Sequence, residues 1–152
     1  MGRLATAASP FLFVREIFRN IITPEEAQSL AVVQRLDFDH PIVSRLVAQI
    51  KIAAPNAAIT DKSYARVERN SDGHDWHVDT GDSDHMTWCA YSGSVLLTND
   101  FSGGDFEFFD GTRYRHYLDL LTYSSDQWHR VTPHTDGERY VLLIFLGRKN
   151  GE

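Results

Sequence analysis

The chain has a single cysteine, Cys89, among 152 residues, so it can form neither an internal disulfide nor a thiolate metal cluster. That usage suits a reducing compartment, and a cytoplasmic protein is the expectation. No apolar run approaches the roughly 18 residues of a membrane-spanning helix, so no membrane role is expected. Met1 to Thr6 fits a myristoylation pattern only formally and is read as an ordinary terminus. Positive charge is also scarce: 15 Lys and Arg stand against 21 Asp and Glu, a net charge of −6. A surface built to hold nucleic acid usually carries a basic stripe, so nucleic acid is not an expected partner. Internal repeats, low-complexity tracts and linkers are missing as well. What remains is 42% hydrophobic and 24% charged, the make-up of one globular domain spanning residues 1–152.

Two helices are expected near the start. Phe11 to Phe18 reads as a first strand, and Thr23-Pro24-Glu25-Glu26 then starts a helix. Thr23 can cap it, Pro24 suits the first turn and Glu26 completes a capping box. Ala27, Leu30, Ala31 and Val33 carry this helix to about Leu36. A second should run from Pro41 to Ala53, with Ile42, Leu46, Val47 and Ile50 on one stripe. Together they form a helical prefix over about 23–54.

From Thr60 onward, short runs rich in Tyr, Val, Trp, Phe and Leu alternate with Gly, Asp, Ser and Asn clusters. Strands are predicted at Ser63–Arg69, Trp76–Asp79, Met86–Tyr91, Ser94–Thr98, Asp105–Phe109, Leu118–Tyr123, Trp128–Val131 and Tyr140–Leu146. The fold class is therefore mainly β with two N-terminal helices. The helices should pack on one outer face of an antiparallel sandwich or jelly roll over about 60–147.

His77-Val78-Asp79 carries the first chemistry. On a strand, residues i and i+2 share a face, so both side chains can reach one ion. His129, 50 residues after Asp79, supplies a third donor from a later strand. Two imidazoles and a carboxylate make the facial triad that suits Fe(II) and leaves coordination positions open for a co-substrate and dioxygen. Arg139 lies ten residues past His129, at the mouth of a strand whose Val141, Leu143 and Phe145 share a face. Its planar fork matches a carboxylate and could clamp the far end of a dicarboxylic co-substrate.

Three stretches, GHDWHVDTG (Gly73–Gly81), SVLLTNDFSGGDFEFF (Ser94–Phe109) and WHRVTPHTDGERYVLLIF (Trp128–Phe145), together resemble the 2-oxoglutarate- and Fe(II)-dependent oxygenase superfamily. The likeness is to its prolyl-4-hydroxylase-like branch and covers about Thr60 to Leu146. It implies a double-stranded β-helix, the cupin-like jelly roll, with iron on His77, Asp79 and His129 and the 2-oxoglutarate C5 carboxylate on Arg139. Gly103-Gly104 would form the tight turn of the family pattern, where positive φ is needed. The sequence departs from the family where a Tyr often meets the co-substrate, since Val67 and Leu96-Leu97 stand there. Tyr64, Arg66, Thr98 or Tyr123 are the candidates to replace it. The implied reaction is hydroxylation of a C–H bond in a peptidyl, including prolyl, or small-molecule substrate. It consumes dioxygen and 2-oxoglutarate, releases succinate and carbon dioxide, and has ascorbate as supporting reductant.

Trp88 and His85 are candidates to line the substrate cleft, and Thr80 to Thr87 is a candidate lid beside the open coordination positions. Trp76, Trp128 and Arg130 adjoin ligands and should face away from the metal. His74 and His134 read as solvated, and His40 and His116 as structural or surface. Two rival functions share parts of the pattern. A nucleic-acid demethylase of the alkylation-repair type would carry a second Arg six residues past the first, where Phe145 stands. A non-catalytic metal-binding jelly-roll module would release no succinate from 2-oxoglutarate.

Overall fold

A computed structural model describes residues 13–69, 73–80 and 86–149. The chain opens with β1 (Arg15–Phe18), α1 (Pro24–Ala31), β2 (Arg35–Leu36), α2 (Pro41–Ala53) and β3 (Ala57–Ala58). It continues through β4 (Tyr64–Arg69), β5 (His74–His77), β6 (Tyr91–Leu96), β7 (Ser102–Gly103) and β8 (Phe106–Phe108). The last strands are β9 (Arg113–Tyr114), β10 (Leu120–Ser124), β11 (His129–Val131), β12 (His134–Thr135) and β13 (Tyr140–Arg148).

The capping box forms as the sequence dictates. Thr23 Oγ1 accepts from the Glu26 amide at 3.1 Å, and Glu26 Oε1 accepts from the Thr23 amide at 3.0 Å. α1 stops at Ala31 rather than Leu36, because Arg35 and Leu36 instead join β4 as strand β2. β-Branched Val32 and Val33 suit that exit from helix. α2 keeps its predicted bounds, with His40 capping it through Nδ1, which accepts from the Ile42 amide. The apolar residues of both helices lie on the large sheet. Leu30, Val43, Leu46, Val47 and Ile50 form one buried cluster with Ala65, Val67, Val95, Leu120, Leu142 and Ile144.

The large sheet runs β1-β10-β6-β13-β4-β2, with β3 added on β13. A smaller sheet, β5-β11-β8-β9, faces it, and β7 pairs with β12. The strand pairings are antiparallel. This is a jelly roll with its helices on the outer face of one sheet. The pleat sorts the side chains. On β13, Leu142, Ile144 and Leu146 go to the helix side, while Val141, Leu143 and Phe145 line a cavity between the sheets.

Three strand predictions are corrected. Met86 to Cys89 form a turn closed by the Cys89 amide on the Met86 carbonyl at 3.0 Å, and strand pairing starts only at Tyr91. The predicted strands Met86–Tyr91 and Ser94–Thr98 are thus one strand, β6, which runs straight through Gly93. Glycine there admits α2, since a Cβ would come within 2.9 Å of Ile50 Cδ1. β5 ends at His77, so Asp79 lies beyond the strand rather than on it. The amides of Asp79 and Thr80 both leave the ladder to donate to the Ser125 carbonyl, at 3.0 and 3.2 Å.

Candidate metal centre

Asp79 departs from the i, i+2 strand geometry, yet the three predicted donors converge. One ligating atom from each of His77, Asp79 and His129 lies within 4.8 Å of the others. Asp79 Oδ1 is 3.6 Å from His77 Nε2 and 3.3 Å from His129 Nε2. β5 and β11 pair with His77 opposite His129, and this places the two imidazoles side by side with ring centroids 4.3 Å apart.

Each ring is set by its other nitrogen. His77 Nδ1 lies 2.7 Å from the Asp75 carbonyl, and His129 Nδ1 lies 2.9 Å from the Gln127 carbonyl. A carbonyl only accepts, so both Nδ1 atoms carry hydrogen and both Nε2 atoms face the centre. Phe106 stacks on His129 at 4.8 Å and 8° and fixes the plane of the ring. Burial holds His77 below its ordinary range, which favours the neutral ligating form. Burial pushes the Asp79 carboxyl upward, but His129 and the hydroxyls of Tyr123 and Ser92 outweigh it, so Asp79 ionises more readily than usual. Two imidazoles oriented through Nδ1 and one carboxylate, preset in this way, fit a divalent ion of the Fe(II) kind.

These donors line a cavity of about 230 Å³. Its walls also carry Tyr64, Arg66, Glu68, His74, Ser94, Tyr123 and Arg139. Arg139 is 2% exposed, and its Nε donates to the Gly104 carbonyl at 3.0 Å. Gly103 and Gly104 both have positive φ, +72° and +67°, and a Cβ on Gly104 would meet Arg139 Cδ at 2.9 Å. The glycine turn therefore makes room for the guanidinium as well as bending the chain. Burial brings the Arg139 pKa down to about 10, with Arg115 acting in the same sense and Glu68 and Asp105 opposing. Arg139 is still cationic at neutral pH.

The other candidates divide. Tyr64 lines the cavity, with its ring 5.1 Å from Phe145 and its hydroxyl 3.7 Å from Met86 Sδ. Tyr123 also lines it, but its hydroxyl donates to Asp79 Oδ2 at 2.6 Å. Thr98 does not reach the cavity: its hydroxyl donates to the Glu138 carbonyl and accepts from the Tyr140 amide. It lies past the end of β6, where it serves the backbone of the neighbouring strand. Trp88 stands one layer back, edge-on to Tyr64 at 6.2 Å, because the turn at Met86–Cys89 carries it off the cavity wall. His85 and most of the candidate lid lie outside the described residues. Trp76, Trp128 and Arg130 face away as expected, with Arg130 over the Trp76 ring at 4.8 Å and Trp128 exposed.

Sequence reasoning missed four wall or second-layer residues. His74, read as solvated, is in β5 and bonds Glu68 at 3.0 Å. That bond, with burial opposing and Arg66 helping, pulls Glu68 down to about 2. Ser94 and His116 form a buried pair with Oγ and Nε2 2.7 Å apart. The only sequence signal was the alternation of β4 and β6, which would have placed Glu68 and Ser94 inward once the register was known.

No protein-family model matches this sequence, and neither does any curated protein sequence. Solved structures do match. The viral collagen prolyl hydroxylase of Paramecium bursaria Chlorella virus-1, solved as a 2-oxoglutarate complex, superposes with a TM-score of 0.69 at 13% identity. That match covers 89% of this chain and 96% of the viral one. A Pseudomonas putida prolyl-4-hydroxylase gives a TM-score of 0.67 at 15% identity, covering 91% of this chain and 94% of the other. The chain has the prolyl hydroxylase fold. A Burkholderia pseudomallei oxidoreductase of the 2-oxoglutarate–Fe(II) oxygenase family is similar over a shorter stretch, 75% of this chain and 56% of that one, with a TM-score of 0.55 at 18% identity.

Proposed function

We propose that this protein is a 2-oxoglutarate- and Fe(II)-dependent dioxygenase that hydroxylates a C–H bond of a peptidyl substrate, with prolyl residues the first to test. The observation that carries this reading is one cavity holding both a preset His77–Asp79–His129 donor set and the buried guanidinium of Arg139. An ion site alone would fit many roles. A buried cation facing the same cavity adds a partner for an anionic group of a second ligand. The fold shared with two prolyl hydroxylases supports the same reading.

Bound Fe(II) with 2-oxoglutarate and dioxygen would supply the oxidation, releasing succinate and carbon dioxide. The chain's part is placement. His77, Asp79 and His129 would hold the ion through Nε2, Oδ1 and Nε2, while Tyr123 ties up Asp79 Oδ2 and steers Asp79 toward one-oxygen ligation. Arg139 would hold the C5 carboxylate of 2-oxoglutarate. Val141, Leu143 and Phe145 make that side of the cavity apolar, which excludes water and strengthens the ion pair. Phe145 also stands where an alkylation-repair demethylase would place its second Arg, and its ring packs on Tyr64.

The test is succinate release from 2-oxoglutarate with Fe(II) and ascorbate in air, across proline-containing peptides and free metabolites. A prolyl peptide should stimulate release and gain one oxygen atom. Stimulation confined to free metabolites would overturn the peptidyl assignment, and no release with any compound would overturn the enzyme assignment.

A further inference from the structure

Ser94 is a polar residue between two leucines. On β6 it sits opposite Leu121 of β10 and Leu143 of β13, it is 1% exposed, and it faces the metal cavity. A buried hydroxyl costs stability unless it is hydrogen-bonded, and an apolar side chain would suit this position better. Its partner is another buried polar group, His116, also 1% exposed, with Nε2 2.7 Å from Ser94 Oγ. His116 Nδ1 has no hydrogen-bond partner among the described residues. Such a pair adds little to the jelly roll itself.

The tautomer of His116 decides what Ser94 can do. Burial, with the charge of Arg139 adding to it, pushes His116 down to about 3, so the ring is neutral and one nitrogen carries hydrogen. Placing that hydrogen on Nδ1 would bury an unpaired N–H; placing it on Nε2 leaves only an unused lone pair, the smaller penalty. Nε2 therefore donates to Ser94 Oγ. The hydroxyl hydrogen of Ser94 is then left to point into the cavity as a donor for an acceptor that the protein does not itself provide.

The register says where that donor sits. Ser92 lies opposite Tyr123, which donates to Asp79, and opposite Phe145; Ser94 lies opposite Leu143, and Leu96 opposite Val141. Ser94 is thus two residues, roughly 7 Å, along β6 from the metal level. The direction is toward Arg139, which precedes Val141 by two residues on β13. A linear diacid held by the metal at one end and by Arg139 at the other would pass this hydroxyl.

We infer that Ser94, oriented by His116, is the neutral donor that shares the far carboxylate of the co-substrate with Arg139. This rests on the dioxygenase reading above and fills the place left open by Val67 and Leu96-Leu97. Ser94 is a binding residue, and His116 is a positioning residue acting through it.

The experiment is calorimetric titration of the full chain loaded with Mn(II), using two ligands. One is 2-oxoglutarate, and the other is 2-oxopentanoate, which has the same chelating end and chain length but a methyl group in place of the far carboxylate. Ser94→Ala should weaken 2-oxoglutarate about tenfold, as expected for a lost hydrogen bond to a charged group, and leave 2-oxopentanoate unchanged. His116→Leu should copy that pattern, and the double variant should be no weaker than either single one. An unchanged 2-oxoglutarate affinity in Ser94→Ala, beside a loss in Arg139→Ala, would overturn this inference while leaving the dioxygenase reading intact. Equal losses for both ligands would also overturn it, since they would signal general repacking. If the wild-type protein fails to bind 2-oxoglutarate, both readings fall.

Discussion

At the residue scale, the candidate metal site brings together three groups that the sequence had singled out, and a second layer that it had not. His77, Asp79 and His129 could be picked out because few residue types make a facial triad. His129→Ala should lose most affinity for Mn(II) in a calorimetric titration while the fold persists by circular dichroism; retained affinity would remove His129 from the site. Tyr123 was legible only as a candidate co-substrate contact, because its bond to Asp79 depends on β10 facing the turn after β5. Tyr123→Phe keeps the ring among Phe106 and Phe108 but frees Asp79 Oδ2. Metal affinity should fall roughly 10- to 100-fold, the usual effect of losing a group that orients a ligand. Arg139→Ala should raise the apparent constant for 2-oxoglutarate at least about tenfold with metal binding intact, and Arg139→Lys should fall between. An unchanged constant in Arg139→Ala would place the carboxylate elsewhere, with Arg66 next to test.

At the scale of elements, local signals were reliable where they were chemical and misleading where they were compositional. The α1 cap was readable from Thr23 and Glu26, and α2 from its apolar stripe. The turn at Met86–Cys89 was not, because Thr87, Trp88 and Cys89 look like strand and only tertiary contacts decide against it. The predicted break between Tyr91 and Ser94 erred in the opposite sense, since Gly93 lies within β6 and admits Ile50 there. The bonds of the α1 cap also predict a pH dependence. Arg45 first, then the Thr23 amide, bring Glu26 down from 4.5 to about 2 in the folded chain. A carboxyl with a lower pKa in the folded state stabilises it above about 4.5 and loses that effect as pH falls toward 2. Glu26→Gln should therefore flatten the fall in melting temperature over that window. An equally steep fall in the variant would show that other carboxylates set the acid response. Leu46→Ala, at the centre of the helix–sheet core, should cost about 2–5 kcal/mol in denaturant unfolding without moving the metal donors.

At the scale of the whole molecule, the two sheets and the helices divide the labour. The helices bury one face of the large sheet, and the other face is then free to build a cavity wall from alternate residues. That division was legible from the order of helices and strands. The five two-residue strands β2, β3, β7, β9 and β12 were not, since they exist only because a neighbouring strand is there to pair with. Under the dioxygenase reading, N-oxalylglycine should inhibit competitively with 2-oxoglutarate, and inhibition indifferent to 2-oxoglutarate concentration would argue against a shared site. The central claim is that this cavity couples the metal triad to 2-oxoglutarate. Its most direct test is succinate formation from 2-oxoglutarate with Fe(II), ascorbate and air, comparing the wild-type chain with His129→Ala. The account predicts iron-dependent succinate from the wild type and none above background from the variant. Equal succinate from both, or none from the wild type at saturating iron and 2-oxoglutarate, would contradict it.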